Sequence, residues 1–476
     1  MTAGSMRKSF AKRFGTIFSV LVFLLGLLLV QSAAFAKEAA PAPKKKVLTL
    51  QQLLELAVAR SPAIEISRSE VKSAKSDLKQ VESAFYPQLD TFVVTGPAVD
   101  ADEPLVVNGR IIDPSPAGVF DIGIFGRLDF TLTQPLYTFG KLSNRKEAAL
   151  RGVKAKQIEI EQKQAEVVLR VKQLYYGMVL ANQGVSAADE AEEYFQEVRD
   201  RVAGLLKAGS LNVDESDLYM LDAYGAQAKS FRAEAQKGYR VAYFGLKSMI
   251  GMPPEEDFEL SQDSLPTEKK NLEAQGKYIE KALEHRPEIR QVKQGIDAQR
   301  YMVEATIADL YPTFFLTVLG SFAGAPGRDR FDSAYFTDEF NHAYAGAVAG
   351  LTWHFDFGIQ RANVEKQRAE YGKLLNTKAY AEQNIPIQVA NIYQEVIQYQ
   401  KSMEAYGEAA SASRKWVVVA FTNFDMGIGT AKRILEAIEK YGQNRGSYLE
   451  ALYKYNVGLA ELEYAIGAPE NWGIAE

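Results

Sequence analysis

Apolar positions fall at three- and four-residue spacing through residues 50–86, 141–206 and 213–249, in stretches rich in Ala, Glu, Lys, Gln and Leu. That period predicts helices. The same texture returns over 277–311, 359–425 and 431–466, with Pro386 as the sole interior breaker. Between the helices the period drops to two. In Arg127-Leu128-Asp129-Phe130-Thr131-Leu132-Thr133, polar and apolar residues alternate strictly, the mark of a strand with one greasy and one wet face. Residues 88–96, 313–321 and 344–353 are further strand candidates, less regular and richer in Gly. Loops with Gly and Pro over 97–123 and 322–343 join the four strands in pairs.

The order of these pieces is written twice. Tyr86-Pro87 follows Ser61-Pro62 by 25 residues, and Tyr311-Pro312 follows Arg286-Pro287 by 25. Phe139-Gly140 closes an LTQPLY stretch, and Phe357-Gly358 closes an LTWHF stretch. From each of these glycines a Tyr lies 35 residues on (Tyr175, Tyr393) and a Gly lies 69 on (Gly209, Gly427). Each half ends alike, in Ile250-Gly251-Met252-Pro253 and in Ile466-Gly467-Ala468-Pro469. Such ordered self-similarity predicts a tandem structural repeat, with units over 47–253 and 276–469, a connector over 254–275 and a tail over 470–476.

Helix lengths constrain the assembly. At ~1.5 Å per residue the helix over 141–206 is ~100 Å long, and the two shorter ones of its unit, ~55 Å each, match it when stacked end to end. The expected fold is therefore mainly α: a hollow cylinder of long helices, each beside a stacked pair. The strands have about the length that crosses an outer membrane. Four strands cannot close a barrel, and an open edge in lipid leaves backbone groups unpaired. Several chains must then contribute to one shared β-barrel.

Composition narrows the chemistry. The chain of 476 residues has no Cys and three His, and His285, His342 and His354 stand at no metal-ligand spacing such as i, i+4. Disulfides, thiolate sites and a thiol nucleophile are excluded, and neither a zinc site nor a Ser-His-Asp enzyme has support. No cofactor or metal is expected. Arg7, Lys8, Lys12 and Arg13 precede an apolar run over 17–30, and Ala34-Phe35-Ala36 follows it. That is the layout of a cleavable secretory signal over 1–36; the alternative, an uncleaved anchor, would need a longer run. Removing four basic residues takes the charge from −5 to −9 (51 − 60). An acidic exported chain without a basic stripe is not a nucleic-acid binder. Residues 37–46, with Pro41, Pro43 and three Lys, read as a flexible lead-in.

LTLQQLLELAVARSPAIE near the start, FYPQLD before the first strand, LTQPLYTFGKL after the second, the LTW…DFG echo and the terminal IGAP together resemble the TolC-type outer-membrane efflux protein family. The resemblance runs over 47–469. It implies a homotrimer, a twelve-stranded barrel continuous with a twelve-helix tunnel, and a passive exit duct rather than an enzyme. It also implies a proton- or ATP-driven inner-membrane pump and a periplasmic adaptor docked on the helical tips. Cargo, whether drug, metal ion or polypeptide, stays open. A non-pore helical spacer in the periplasm is the competing reading.

The family narrows its periplasmic mouth with acidic side chains six and nine residues after the turn Gly. Here those positions hold Arg433 and Glu436, and the first-half count reaches Glu215, with Asp217 close by. Arg433 is a departure from the family pattern. Either it pairs with Glu215, Asp217 or a neighbouring subunit and latches the mouth, or these are solvated charges at a helix start. Gly209, Gly427 and Gly429 mark the two hairpin turns, where the resemblance also places adaptor docking. Tyr86, Tyr311, Tyr344 and Trp353 lie near strand ends, where aromatics favour the interface with outer-membrane lipid, or simply pack at helix–strand junctions.

Overall fold

The computed structural model describes residues 46–99, 105–112, 122–328 and 338–467. The expected signal over 1–36, most of the lead-in and the tail over 470–476 lie outside them, as do parts of the loops over 97–123 and 322–343. The chain divides into two compact units. In the smaller one, β1 (Lys46–Leu48) pairs in parallel with β6 (Phe258–Leu260), and Lys46 is held by Glu256 at 2.7 Å. The end of the lead-in and part of the connector are thus strands, too short for a period to reveal.

The larger unit holds eight helices among the described residues: α1 (Leu50–Arg60), α2 (Pro62–Ser83), α3 (Lys141–Lys207), α4 (Glu215–Met249), α5 (Gln275–His285), α6 (Pro287–Ala308), α7 (Ile359–Asp425) and α8 (Ala431–Ala465). The single helices expected over 50–86 and 277–311 are each split in two. Ser61 (ψ 120°) and Arg286 (ψ 129°) are extended, because Cδ of the following Pro disfavours the helical region for the residue before it. Pro62 and Pro287 then open the next helix, where the missing N–H costs nothing. Pro386 behaves oppositely. α7 runs through it, anchored by Ile385 and Val389, which are buried against Ala282, Ile289 and Leu462; packing outweighs the lost backbone bond there.

Near the strands the helices neighbour one another in the order α2–α3–α6–α7, and towards the opposite end in the order α4–α3–α8–α7. α3 and α7, 67 residues each, run through both rows. The shorter helices meet end to end: Gly251 after α4 lies against Arg60 of α1, and Gly467 after α8 against Arg286 between α5 and α6. A Cβ on Gly467 would stand 2.8 Å from Arg286 Cα, so this close meeting requires Gly.

β2 (Gln88–Val99), β5 (Ile122–Tyr137), β7 (Thr313–Gly324) and β8 (His342–Thr352) form one antiparallel sheet in that order, leaving β2 and β8 as edges. The sheet order repeats the helix order, since α2 leads into β2, β5 into α3, α6 into β7 and β8 into α7. A further hairpin, β3 (Leu105–Val107) with β4 (Arg110–Ile112), turns at Asn108-Gly109, both at positive φ. Asn-Gly is the strongest short hairpin signal. It was visible in the sequence inside what reads as a loop.

Candidate functional site

The helical turns come first. Gly209 and Gly427 both adopt φ 74°, and Gly429 is pressed against the α7 backbone, where a Cβ would lie 2.9 Å from Phe424 N. Leu211, Met426 and Ile428 project into solvent between the helices, Leu211 completely. Asp214 caps α4: its carboxylate accepts from the Ser216 and Asp217 amides, and Asp217 accepts from the Asp214 amide in return. These bonds hold the Asp214 carboxyl below the usual carboxylate range, the Ser216 contacts contributing most. Asp217 is therefore engaged as half of a capping box.

Glu215 and Arg433 stand in the first turns of α4 and α8, and Glu436 in the second turn of α8. Among the described residues, none of these three side chains makes an ion pair or hydrogen bond, so a latch between Arg433 and Glu215 or Asp217 is not formed within one chain. The long helices are instead tied together by Arg201 of α3. It pairs with Asp425 of α7 and with Glu197, and its guanidinium lies 5.4 Å from the centre of the Phe421 ring. The Asp425 and Glu197 contacts raise the Arg201 pKa further above its ordinary value. Beneath the turns, Val198, Val202, Leu221, Ile434 and Leu435 are buried together and fix both hairpins to each other. Glu436 acts on this layer only at a distance. Tyr224, bonded to Glu439 at 3.2 Å, has its phenol pKa raised chiefly by the Glu439 charge, with Glu436 adding to it.

One face of the sheet is largely apolar. Leu128 lies opposite Val93 and Phe322, and Leu132 opposite Leu89 and Val318, with Ala347 next to Val318. On β2 and β5 this face continues through Val99, Ile122 and Ile124, each more than 60 % exposed. The other face is mixed, with Phe92, Leu319 and Val348 beside a polar cluster. Arg127 pairs with Asp129 at 3.1 Å and with Glu339 at 3.0 Å. Ser321 Oγ donates to Asp129 at 2.5 Å and lies 2.6 Å from His342 Nε2, while His342 Nδ1 donates to the Asp338 carbonyl at 2.8 Å. Asp, Ser and His meet here, but the carboxylate holds the hydroxyl and not the imidazole, the reverse of what activates a nucleophile. The cluster ties three strands together. Strict alternation in 127–133 placed Arg127 and Asp129 on one face, but nothing in the spacing linked them to Ser321 or His342.

The four aromatics divide. Tyr86, Tyr311 and Trp353 gather at the helix-facing end of the sheet. Tyr311 stacks on Phe139 at 5.2 Å, and Trp353 Nε1 donates to the Leu310 carbonyl at 3.0 Å. Tyr344 stands apart from these three. Its register sets it beside Ser321 on the mixed face, stacked on His342 at 5.4 Å, because period-two parity decides its direction and not its nearness to a strand end.

With this geometry in place, comparison with known proteins is decisive. The family model described as outer membrane efflux protein matches the chain twice, over residues 53–241 and 278–468. The chain belongs to the outer membrane efflux protein family. Among solved structures it is similar to the outer-membrane channel OprN (TM-score 0.73, 18 % identity, 89 % of this chain and 90 % of that one). It is also similar to the CmeC outer membrane channel of Campylobacter jejuni (TM-score 0.67, 18 % identity, 88 % of this chain and 85 % of that one). At such identities the likeness is one of fold. Among curated proteins it is similar to Protein CyaE of Bordetella pertussis, 23 % identical over 283 residues. That match takes in 58 % of this chain and spans only about half (55 %) of the length of CyaE. No helix among the described residues is long and apolar enough to cross a membrane.

Proposed function

We propose that this chain is one tandem-repeat segment of a homotrimeric exit duct. Its sheet contributes to a shared twelve-stranded barrel in the outer membrane, and its helices to a periplasmic tunnel. The observation that carries this reading is the sheet itself: strands of 11 to 16 residues, largely apolar on one face and with a charged and polar cluster on the other, and with β2 and β8 both unpaired at their outer edges. An open edge is a template for another strand, and in lipid it must be filled. Because the strand number is even, β8 of one copy meets β2 of the next antiparallel, so a head-to-tail ring closes without a parallel mismatch. The helical rows support the same contact, with Tyr380 and Ile387 exposed on α7 at one margin and Ile66, Phe231 and Phe244 on α2 and α4 at the other. The number three rests on the family.

In the same reading, the turns at Gly209 and at Gly427 and Gly429, with Leu211 and Ile428 exposed, receive a periplasmic adaptor that links the duct to an inner-membrane pump. Glu215, Asp217, Arg433 and Glu436 ring the mouth. Arg433, unpaired within its own chain, reaches a carboxylate of the neighbouring copy.

Planar-bilayer recording tests both levels. The purified oligomer is expected to give discrete conductance steps, and a folded oligomer that never conducts would overturn the duct. Arg433→Ala and Glu436→Ala are expected to lengthen openings and shift ion preference. If both record like the parent, the mouth assignment is wrong while the duct stands.

A further inference from the structure

The two halves of the sheet share one register, and the contact between the halves is made once inside the chain and left open once. Advancing β2 by 225 residues and β5 by 219 carries Gln88↔Thr133 onto Thr313↔Thr352 and Ala98↔Gly123 onto Ala323↔His342, covering every β7–β8 pair. Side-chain contacts follow the same mapping. Gln134 donates to the Phe85 carbonyl at 2.8 Å, and its counterpart Trp353 donates to the Leu310 carbonyl at 3.0 Å. Past the strand the offset falls to 218, from Phe139 to Phe357, and β5 has its register shift just there, between Pro135 and Tyr137. The bulge absorbs the extra residue.

Between the halves, β5 pairs with β7 (Phe130↔Gly320, Thr133↔Thr317). At their junction Phe139, at φ 51°, stacks on Tyr311 at 5.2 Å and lies 6.3 Å from Phe314. The counterparts are β8 and β2, which lie on opposite edges of one chain. Phe357 repeats the backbone of Phe139 with φ 53° but stands fully exposed, and so largely does Tyr86, the counterpart of Tyr311.

We infer that β8 of one copy of this chain pairs with β2 of the next in the register that β5–β7 dictates. Ala349 then stands opposite Thr95 and Thr352 opposite Phe92, and Phe357 stacks on Tyr86 of the neighbouring copy. This rests on the proposed self-association and adds the residue-level fit. Parity is an independent check: the mapped register sets Leu351 against Val93 and Ala347 against Pro97, apolar face to apolar face, whereas a one-residue slip would mix the faces.

The chain lacks Cys, so paired cysteines read the register directly. Two variants, Ala349→Cys with Thr95→Cys and Thr352→Cys with Phe92→Cys, sample both faces and both kinds of antiparallel pair, whose Cα spacings of about 4.5 and 5.5 Å suit a disulfide. Within one chain the two positions lie three strand spacings apart, on the order of 14 Å, beyond reach. Oxidation in detergent is expected to give covalent multimers from these two variants. Slipped controls, Ala349→Cys with Val93→Cys or with Pro97→Cys, are expected to stay monomeric on a non-reducing gel. Light scattering on each sample separates the failures. Cross-linking of a slipped control, or of none in a sample that is oligomeric, overturns the register and leaves self-association intact. A monomeric sample overturns both.

Discussion

Arginine in place of Leu128 is expected to keep the protein out of the outer membrane, while arginine in place of Thr131 does not. Leu128 lies mid-strand on the apolar face between Val93 and Phe322. Thr131, three residues on, shares the opposite face with Asp90 and Leu319. A cation on the lipid side of a barrel costs about 2–4 kcal/mol at the midplane. Ring closure multiplies that by the number of copies, enough to defeat insertion. On the opposite side the guanidinium meets water. Partition into urea-washed outer-membrane fractions reads the difference; reversed partition would mean that the faces are assigned the wrong way round, and equal partition that lipid does not meet one face alone.

The second large effect is structural. Tyr455 of α8 is fully buried, and its hydroxyl accepts from the Lys270 amide at 2.9 Å, fastening the connector to the helical wall. Tyr455→Ala is expected to cost about 3–5 kcal/mol, by leaving a ring-sized cavity and a backbone donor without its acceptor. Tyr455→Phe loses the hydrogen bond alone, about 1 kcal/mol. Thermal melting followed by helical circular dichroism, with limited proteolysis across 262–274, should rank parent, Phe and Ala in that order. An Ala variant that melts with the parent would show that the connector is held elsewhere.

How much of this could be read from the chain follows from the range of each interaction. α3 and α7 were legible almost to the residue, since a 3.6 period over 67 positions is hard to imitate. Pro62 and Pro287 stand inside continuous helical periodicity, and the break each imposes lies in the backbone of the residue before it, which a hydrophobic period does not register. β1 and β6 are three residues long and their paired residues lie 212 apart in the chain, below what any period can report. The mouth was legible as a position and not as a set of contacts. Counting from Gly427 finds Arg433, but the cation that joins the long helices is Arg201, whose partner Asp425 is 224 residues away. The Arg127–Asp129–Ser321–His342 cluster was hidden for the same reason, because its members meet only once the sheet is assembled.

The end-to-end meetings of α4 with α1 and of α8 with α5 have a mechanical consequence. Of the rods that leave the turns, only α3 and α7 reach the sheet as unbroken covalent spans; the others stop at a butt joint, Gly251 on Arg60 and Gly467 on Arg286. Neither joint is covalent, and at the second one Leu462 and Ala465 of α8 are buried with Ala282 of α5 and Ile289 of α6. A pull or twist applied at the turns thus has two continuous covalent paths per chain to the strands, with α4 and α8 packed alongside them.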